Sequence, residues 1–146
     1  MEEQGVRLQT IGDLSRFPKD VLEELEETRR ATSHCNRIDL VLALNYGGRD
    51  EIRRAAIALL DDFAKGKISK ESISEEIFAS YLDTSKWDDP DLLIRTSGEW
   101  RISNFLLWQL SYTEVYITDV LWPDFDERQL LLALEDYQQR EKRLGG

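Results

Sequence analysis

Apolar positions along the 146-residue chain change spacing several times, and each change marks a predicted element. Val6 to Ile11 (VRLQTI) alternates as a β-prone run closed by Gly12-Asp13, which predicts a strand and then a turn. Pro18 suits the first turn of a helix in which Glu23, Glu24, Glu26 and Glu27 come early and Arg29 and Arg30 late, so the charges complement its dipole. Val21, Leu22 and Leu25 give that helix a narrow apolar stripe. Ile38 to Leu44 (IDLVLAL) is nearly continuous apolar sequence between turn residues, the pattern of a strand covered on both faces of a parallel sheet. Asn45-Tyr46-Gly47-Gly48 ends it, and Ile52, Ala55, Ala56, Leu59, Leu60 and Phe63 then recur on one helical face until Gly66.

Further on, Ser72 with Glu75 has the form of a capping box before a short helix carrying Ile73, Ile77 and Tyr81, and Asp88-Asp89-Pro90 breaks the chain. Leu92-Leu93-Ile94 predicts a buried strand that delivers Arg95, Thr96 and Ser97 at its C-terminal end. Ser103 is placed to begin a helix from Asn104 to Leu110, and a short strand from Val115 to Thr118 leads to Trp122-Pro123. Asp126 with Gln129 caps a closing helix whose Leu130, Leu134 and Tyr137 share a face. Strands alternating with crossover helices predict an α/β fold, a mostly parallel sheet flanked by helices, in a single domain over residues 1–146. In such folds ligands sit beyond the C-terminal ends of the strands.

Charge narrows the partners. Asp plus Glu (29) against Lys plus Arg (19) leaves a formal −10, which argues against a nonspecific grip on nucleic acid or anionic lipid, so an anionic ligand needs locally placed arginines. Hydrophobic content of 41% with 33% charged residues fits a globular chain. The lone Cys35 excludes an internal disulfide, no Cys/His spacing suits zinc, and a reducing cytoplasm is the expected compartment. MEEQGVRLQ has no apolar leader region, and no stretch reaches the length that spans a bilayer.

Two loops lie where ligands are expected. In NYGGRDEI, two glycines precede a helix start and Arg49 adds charge, which reads equally as a phosphate loop or as a tight strand-to-helix turn. IRTSGEWRIS is denser: Arg95, Arg101 and Ser103 bring two guanidinium forks and a hydroxyl to one loop, suited to a diphosphate. The competing reading pairs both arginines with Glu99 and nearby aspartates. Glu114 is chemically adequate for half of a Mg²⁺ site, or is a solvated or arginine-paired carboxylate. His34 and Cys35 read as structural, and no Ser/His/Asp nucleophile set is arguable. Of Phe105, Trp108, Tyr112, Tyr116, Trp122 and Phe125, most are expected in the core, with a minority lining an apolar cleft.

At these residues the chain resembles a known family. DPDLLIRTSGEWRISNFLLWQLSYTEVYITDVLWPDFDE resembles the C-terminal signature of the cis-prenyltransferases, the bacterial undecaprenyl diphosphate synthases, and VRLQTIGDLSRFP and LALNYGGRDEI resemble earlier blocks in the same order. The resemblance implies a cytoplasmic homodimeric α/β transferase that lengthens an allylic diphosphate such as farnesyl diphosphate with isopentenyl diphosphate. The product would be a cis-polyprenyl diphosphate, a lipid-carrier precursor for cell-wall glycans, with at most transient membrane contact for its release. By motif position Arg95, Arg101 and Ser103 would hold isopentenyl diphosphate with Ile102 adjoining, and Glu114 would be a ligand of the Mg²⁺ cofactor. The ending Arg143-Leu144-Gly145 resembles the family's Arg-x-Gly, making Arg143 and Gly145 further candidates beside Arg49.

The departures carry equal weight. Family members begin with a strand and an Asp-Gly-Asn-Gly-Arg loop whose Asp is the essential metal ligand, and this sequence has no such block. No catalytic residue is therefore assigned within the 146 residues. The expectation is the C-terminal part of such an enzyme, inactive alone and poorly soluble because the apolar faces of residues 40–44 and 92–94 lose their cover, or else a non-catalytic dimer partner of a full-length enzyme. Trp100 stands where the family commonly has His, and Ser97 where Gly is usual.

Overall fold

The computed structural model describes residues 1–140, so the Arg143 and Gly145 candidates lie outside the described residues. Its contacts divide at the Asp88-Asp89-Pro90 break into two compact units.

The first unit is a β-α-β turn of chain with a second helix. β1 (Val6–Ile11) pairs in parallel with β2 (Ile38–Ala43), Val6 opposite Ile38 through Ile11 opposite Ala43. The crossover is α1 (Lys19–Ala31), which starts after Pro18, carries Asp20 in its first turn and Arg29 and Arg30 in its last, and packs on β1. Its exit is stitched to the strand by Thr32, 3% exposed, whose hydroxyl accepts from the Leu8 N–H at 3.0 Å and donates to the Thr28 carbonyl at 2.9 Å. Gly12 (φ 99°) closes β1, and a Cβ there would meet the Leu44 carbonyl at 2.2 Å, so only glycine turns the chain here.

α2 (Gly48–Ala64) extends further toward its N-terminus than the apolar pattern marks, and its buried face differs from the predicted one. Gly48, Glu51, Ala55 and Leu59 are buried, whereas Leu60 and Phe63 of the predicted stripe are 61% and 47% exposed. The buried line begins on a glycine and a carboxylate, which an apolar count cannot select. Glu51 is satisfied there by the Tyr46 hydroxyl at 2.6 Å and the Asp83 N–H at 2.9 Å. Asp83 in turn accepts from the Gly12 N–H at 3.0 Å and from both Arg54 terminal nitrogens at 2.8 and 2.7 Å, so a polar network joins the β1 exit to α2. The predicted Ser72–Glu75 box is also corrected: Ser69 and Ser72 cap a 3-10 turn, and Ser74 caps α3 (Glu75–Ala79) by accepting from the Ile77 N–H at 3.2 Å.

β2 is not covered on both faces as its composition predicted. Ile38 and Leu40 are 54% and 43% exposed, because each described sheet has only two strands. The opposite side of the strand carries Asp39, which takes both Arg7 guanidinium bonds at 2.6 and 2.9 Å and the Trp87 indole N–H at 2.8 Å.

In the second unit, β3 (Leu92–Arg95) pairs in parallel with β4 (Glu114–Ile117), and α4 (Glu127–Gln138) packs on β4. Asp126 caps α4 by accepting from the Gln129 N–H at 3.0 Å, as the sequence predicted. The predicted helix from Asn104 to Leu110 is absent. Ser103, Asn104 and Leu106 have φ of 47°, 64° and 43°, left-handed values that an α-helix does not accept, and only a 3-10 turn over Gln109–Tyr112 remains. Two aromatics expected in the core are on the surface: Tyr112 is 92% exposed, and Trp122 is 74% exposed while stacking on Phe125.

The Arg7 and Trp87 hydrogen bonds, partly opposed by desolvation, hold the Asp39 carboxyl down from 3.8 to about 2. A lowered folded-state value gives stability that is present above the unfolded value near pH 4 and is lost as pH falls toward 2. Asp39→Asn is expected to lower the neutral-pH melting temperature by roughly 5 °C and to flatten its fall between pH 4 and 2. Circular dichroism melts across that range check it, and parallel wild-type and variant curves would refute it.

Candidate functional site

The parallel register sets Arg95 opposite Ile117, so both strands end at the same side of the sheet. The chain beyond them is fixed by backbone bonds. Thr118 N–H donates to the Arg95 carbonyl, Gly98 N–H to the Thr118 carbonyl and Ser97 N–H to the Val120 carbonyl, each at 2.9 Å. Ser97 and Gly98 are both left-handed (φ 65° and 63°) and reverse the chain. A cavity of about 180 Å³ results, with Leu93, Val115 and Ile117 from the strands and Arg95, Glu99, Trp100, Arg101 and Ile102 from the strand end and loop. An apolar wall beside guanidinium groups suits an amphipathic anion.

The predicted residues divide on inspection. Arg95, Arg101 and Ile102 line this one cavity; Ser103, exposed and left-handed, is outside its lining. The Arg95 side chain makes no hydrogen bond or ion pair among the described residues, and its Nε is buried without an acceptor. A buried donor in that state costs about 1–3 kcal/mol until an acceptor arrives. Arg101 pairs with Glu99 with its side chain 68% exposed, which is the competing reading realised for one arginine and not the other. Such an exposed pair is weak and yields to a stronger anion.

Glu114 opens β4 opposite Leu92 and accepts through Oε2 from Arg140 at 2.8 Å. Its Oε1 has no hydrogen bond among the described residues. Arg140 also donates to the Val115 carbonyl at 3.0 Å and, through Nε, to Asp136 at 2.9 Å. Among the described residues no group of three or more His, Cys, Asp or Glu is placed to hold a metal ion. Arg49 lies in the first unit, one residue into α2, after a turn that Asn45 ties to Asp13 through its side-chain amide at 3.0 Å. His34 is 3.9 Å from the buried Cys35 sulfur.

The family model described as "Putative undecaprenyl diphosphate synthase" matches residues 1–145. The chain belongs to this family. It is 53% identical over 145 residues to an isoprenyl transferase of Chlamydia trachomatis and 48% identical over 146 residues to one of Clostridium perfringens, covering 99% and 100% of this chain. It spans 57% and 58% of those relatives' lengths. Among solved structures, lavandulyl diphosphate synthase from Lavandula x intermedia, in complex with dimethylallyl diphosphate, superposes with a TM-score of 0.95 at 37% identity, covering 99% of this chain and 62% of that one. The α/β fold with parallel strands flanked by helices is thus that of the cis-prenyltransferase family.

Sequence reading missed the strand residues Leu93, Val115 and Ile117 as cavity wall and Arg140 as the partner of Glu114. The Asp136–Arg140 spacing marks a helix ion pair, but nothing local joins either residue to a strand 26 positions away.

At Gly98 a Cβ would come within 2.7 Å of Asp119 Oδ1 at a positive φ. Gly98→Ala is expected to cost about 1–2 kcal/mol, read from the urea midpoint, and an unchanged midpoint would show that the loop does not need this geometry.

Proposed function

We propose that this chain is the isopentenyl-diphosphate side of a cis-prenyltransferase that condenses isopentenyl diphosphate with an allylic diphosphate, giving a product of the undecaprenyl diphosphate class. The observation that carries this reading is the buried, unpartnered Arg95 Nε at a strand end, in a cavity it shares with Arg101. Family membership and the dimethylallyl diphosphate bound by the lavender enzyme support it.

In this reading Arg95 and Arg101 bind the nucleophile's diphosphate, Arg101 leaving Glu99 to do so, and Ser103, outside the lining, is assigned to it by motif position alone. Leu93, Val115 and Ile117 receive the hydrocarbon and keep water from the carbocation that forms as the allylic diphosphate departs. Mg²⁺ is the cofactor of the proposal; when bound it supplies charge neutralisation on the departing diphosphate. The described residues do not fit it by themselves: Glu114 is paired with Arg140, lies outside the cavity lining and opens β4 at the end away from Arg95, whereas Mg²⁺ takes carboxylates together with substrate phosphates and water. A cytoplasmic homodimer is part of the same proposal. The dimer, though not the compartment, is supported by Leu130, Leu131, Leu132 and Leu134 of α4, exposed by 41%, 52%, 43% and 39%. No helix among the described residues is long and apolar enough to cross a membrane, and membrane contact is proposed only for product release.

Arg95→Met is expected to weaken isopentenyl diphosphate binding about tenfold or more by isothermal titration, and equal affinity would overturn the site. Radiolabelled isopentenyl diphosphate with farnesyl diphosphate and Mg²⁺ is expected to give no elongated product with the 146-residue chain, and chain growth would refute its inactivity alone.

A further inference from the structure

We propose that Trp100 is a specificity-determining residue whose indole closes over the hydrocarbon end of a short isoprenyl diphosphate, an inference that rests on the diphosphate-site reading above. Trp100 lines the cavity and yet is 84% exposed. Tryptophan is highly buried on average, so an indole left in water beside a cavity is apolar surface without a partner. Ile102 and Val115 of the same lining are 41% and 43% exposed. Three large apolar side chains of one cavity are therefore wet.

Charge complementarity selects the occupant. The buried Arg95 Nε without an acceptor calls for an anion at one end of what enters, and Leu93, Val115 and Ile117 call for hydrocarbon at the other. A cavity of about 180 Å³ is smaller than a pocket for a drug-sized ligand and suits a short branched chain rather than a polyprenyl one. The segment that carries Trp100 is held at its two ends. Ser97 and Gly98 before it and Ser103 and Asn104 after it are left-handed pairs, with φ of 65°, 63°, 47° and 64°. The backbone bonds that fix the loop stop at Gly98 and resume where the Phe105 N–H donates to the Ile102 carbonyl at 3.0 Å. A turn of the indole onto the apolar wall therefore breaks no backbone bond.

The experiment titrates isopentenyl diphosphate and inorganic pyrophosphate separately into the 146-residue chain and reads the ratio of the two affinities, which a partly unfolded sample does not change. Each methylene-sized group that leaves water contributes about fourfold in affinity, so wild type is expected to prefer isopentenyl diphosphate by about tenfold or more. Trp100→Ala is expected to lose most of that preference with its pyrophosphate affinity unchanged, and Trp100→Phe to keep most of it. Isopentenyl diphosphate, unlike pyrophosphate, is expected to shield from acrylamide the fluorescence that Trp100→Phe removes. A wild type without preference, or a Trp100→Ala chain that keeps the preference or loses both ligands alike, overturns the inference and leaves the diphosphate site intact. So does shielding of Trp100 that rises with protein concentration alone, since a second copy is then the cover. Failure of wild type to bind either ligand overturns the diphosphate reading itself, and this inference with it.

Discussion

Parallel pairing of four-residue strands carries the second unit. Because β3 and β4 run the same way and in register, their exits coincide, and the three backbone bonds beyond them have only one way to form. The reversal at Ser97-Gly98 follows from those bonds, the cavity wall from the reversal, and the confinement of the Arg95 guanidinium from the wall. An antiparallel pair would place Arg95 and Ile117 at opposite ends and dissolve the arrangement. Apolar burial contributes little to this: Ala133 is the one fully buried hydrophobic residue described in this unit.

The first unit depends on buried polar groups to a degree that its composition does not suggest. Leu8, Ile11, Ala55, Leu59 and Leu82 supply an apolar core, but the helix face against it opens on Glu51, and Asp39 and Asp83 each bind three donors. Such networks specify geometry more sharply than methyl contacts do, since a donor displaced by an ångström loses its bond while a leucine finds another neighbour. Each hub joins elements distant in sequence, Asp39 linking β1, β2 and Trp87, and Asp83 linking the β1 exit to α2.

What could be read from sequence follows the range of the determining force. β1 and α4 with its Asp126 cap were legible because alternation and capping act within a few residues. The segment after Ser103 was not: its apolar spacing is that of a helix, and left-handed backbone at three positions overrides it for reasons held in the tertiary fold. The same divide runs through the site. Arg95 and Arg101 were legible as a pair in one loop, but which of them would be neutralised by Glu99 depends on the direction of the loop, and Glu114 joins Arg140 across 26 residues. The first unit's α2 was found by period and misjudged by face, since its burial line starts at Gly48 and Glu51 rather than on hydrocarbon.

Ile38 and Leu40 stand half-exposed on a strand with one described neighbour. For a cell this is a problem of timing. In general, an exposed apolar strand face stays adhesive from the time it leaves the ribosome until something covers it, and two such faces that meet first satisfy each other. For any chain with such a face, the yield of soluble protein is a race between a first-order event, covering, and a second-order one, encounter. Expression level and temperature set its outcome as much as the free energy of the finished fold.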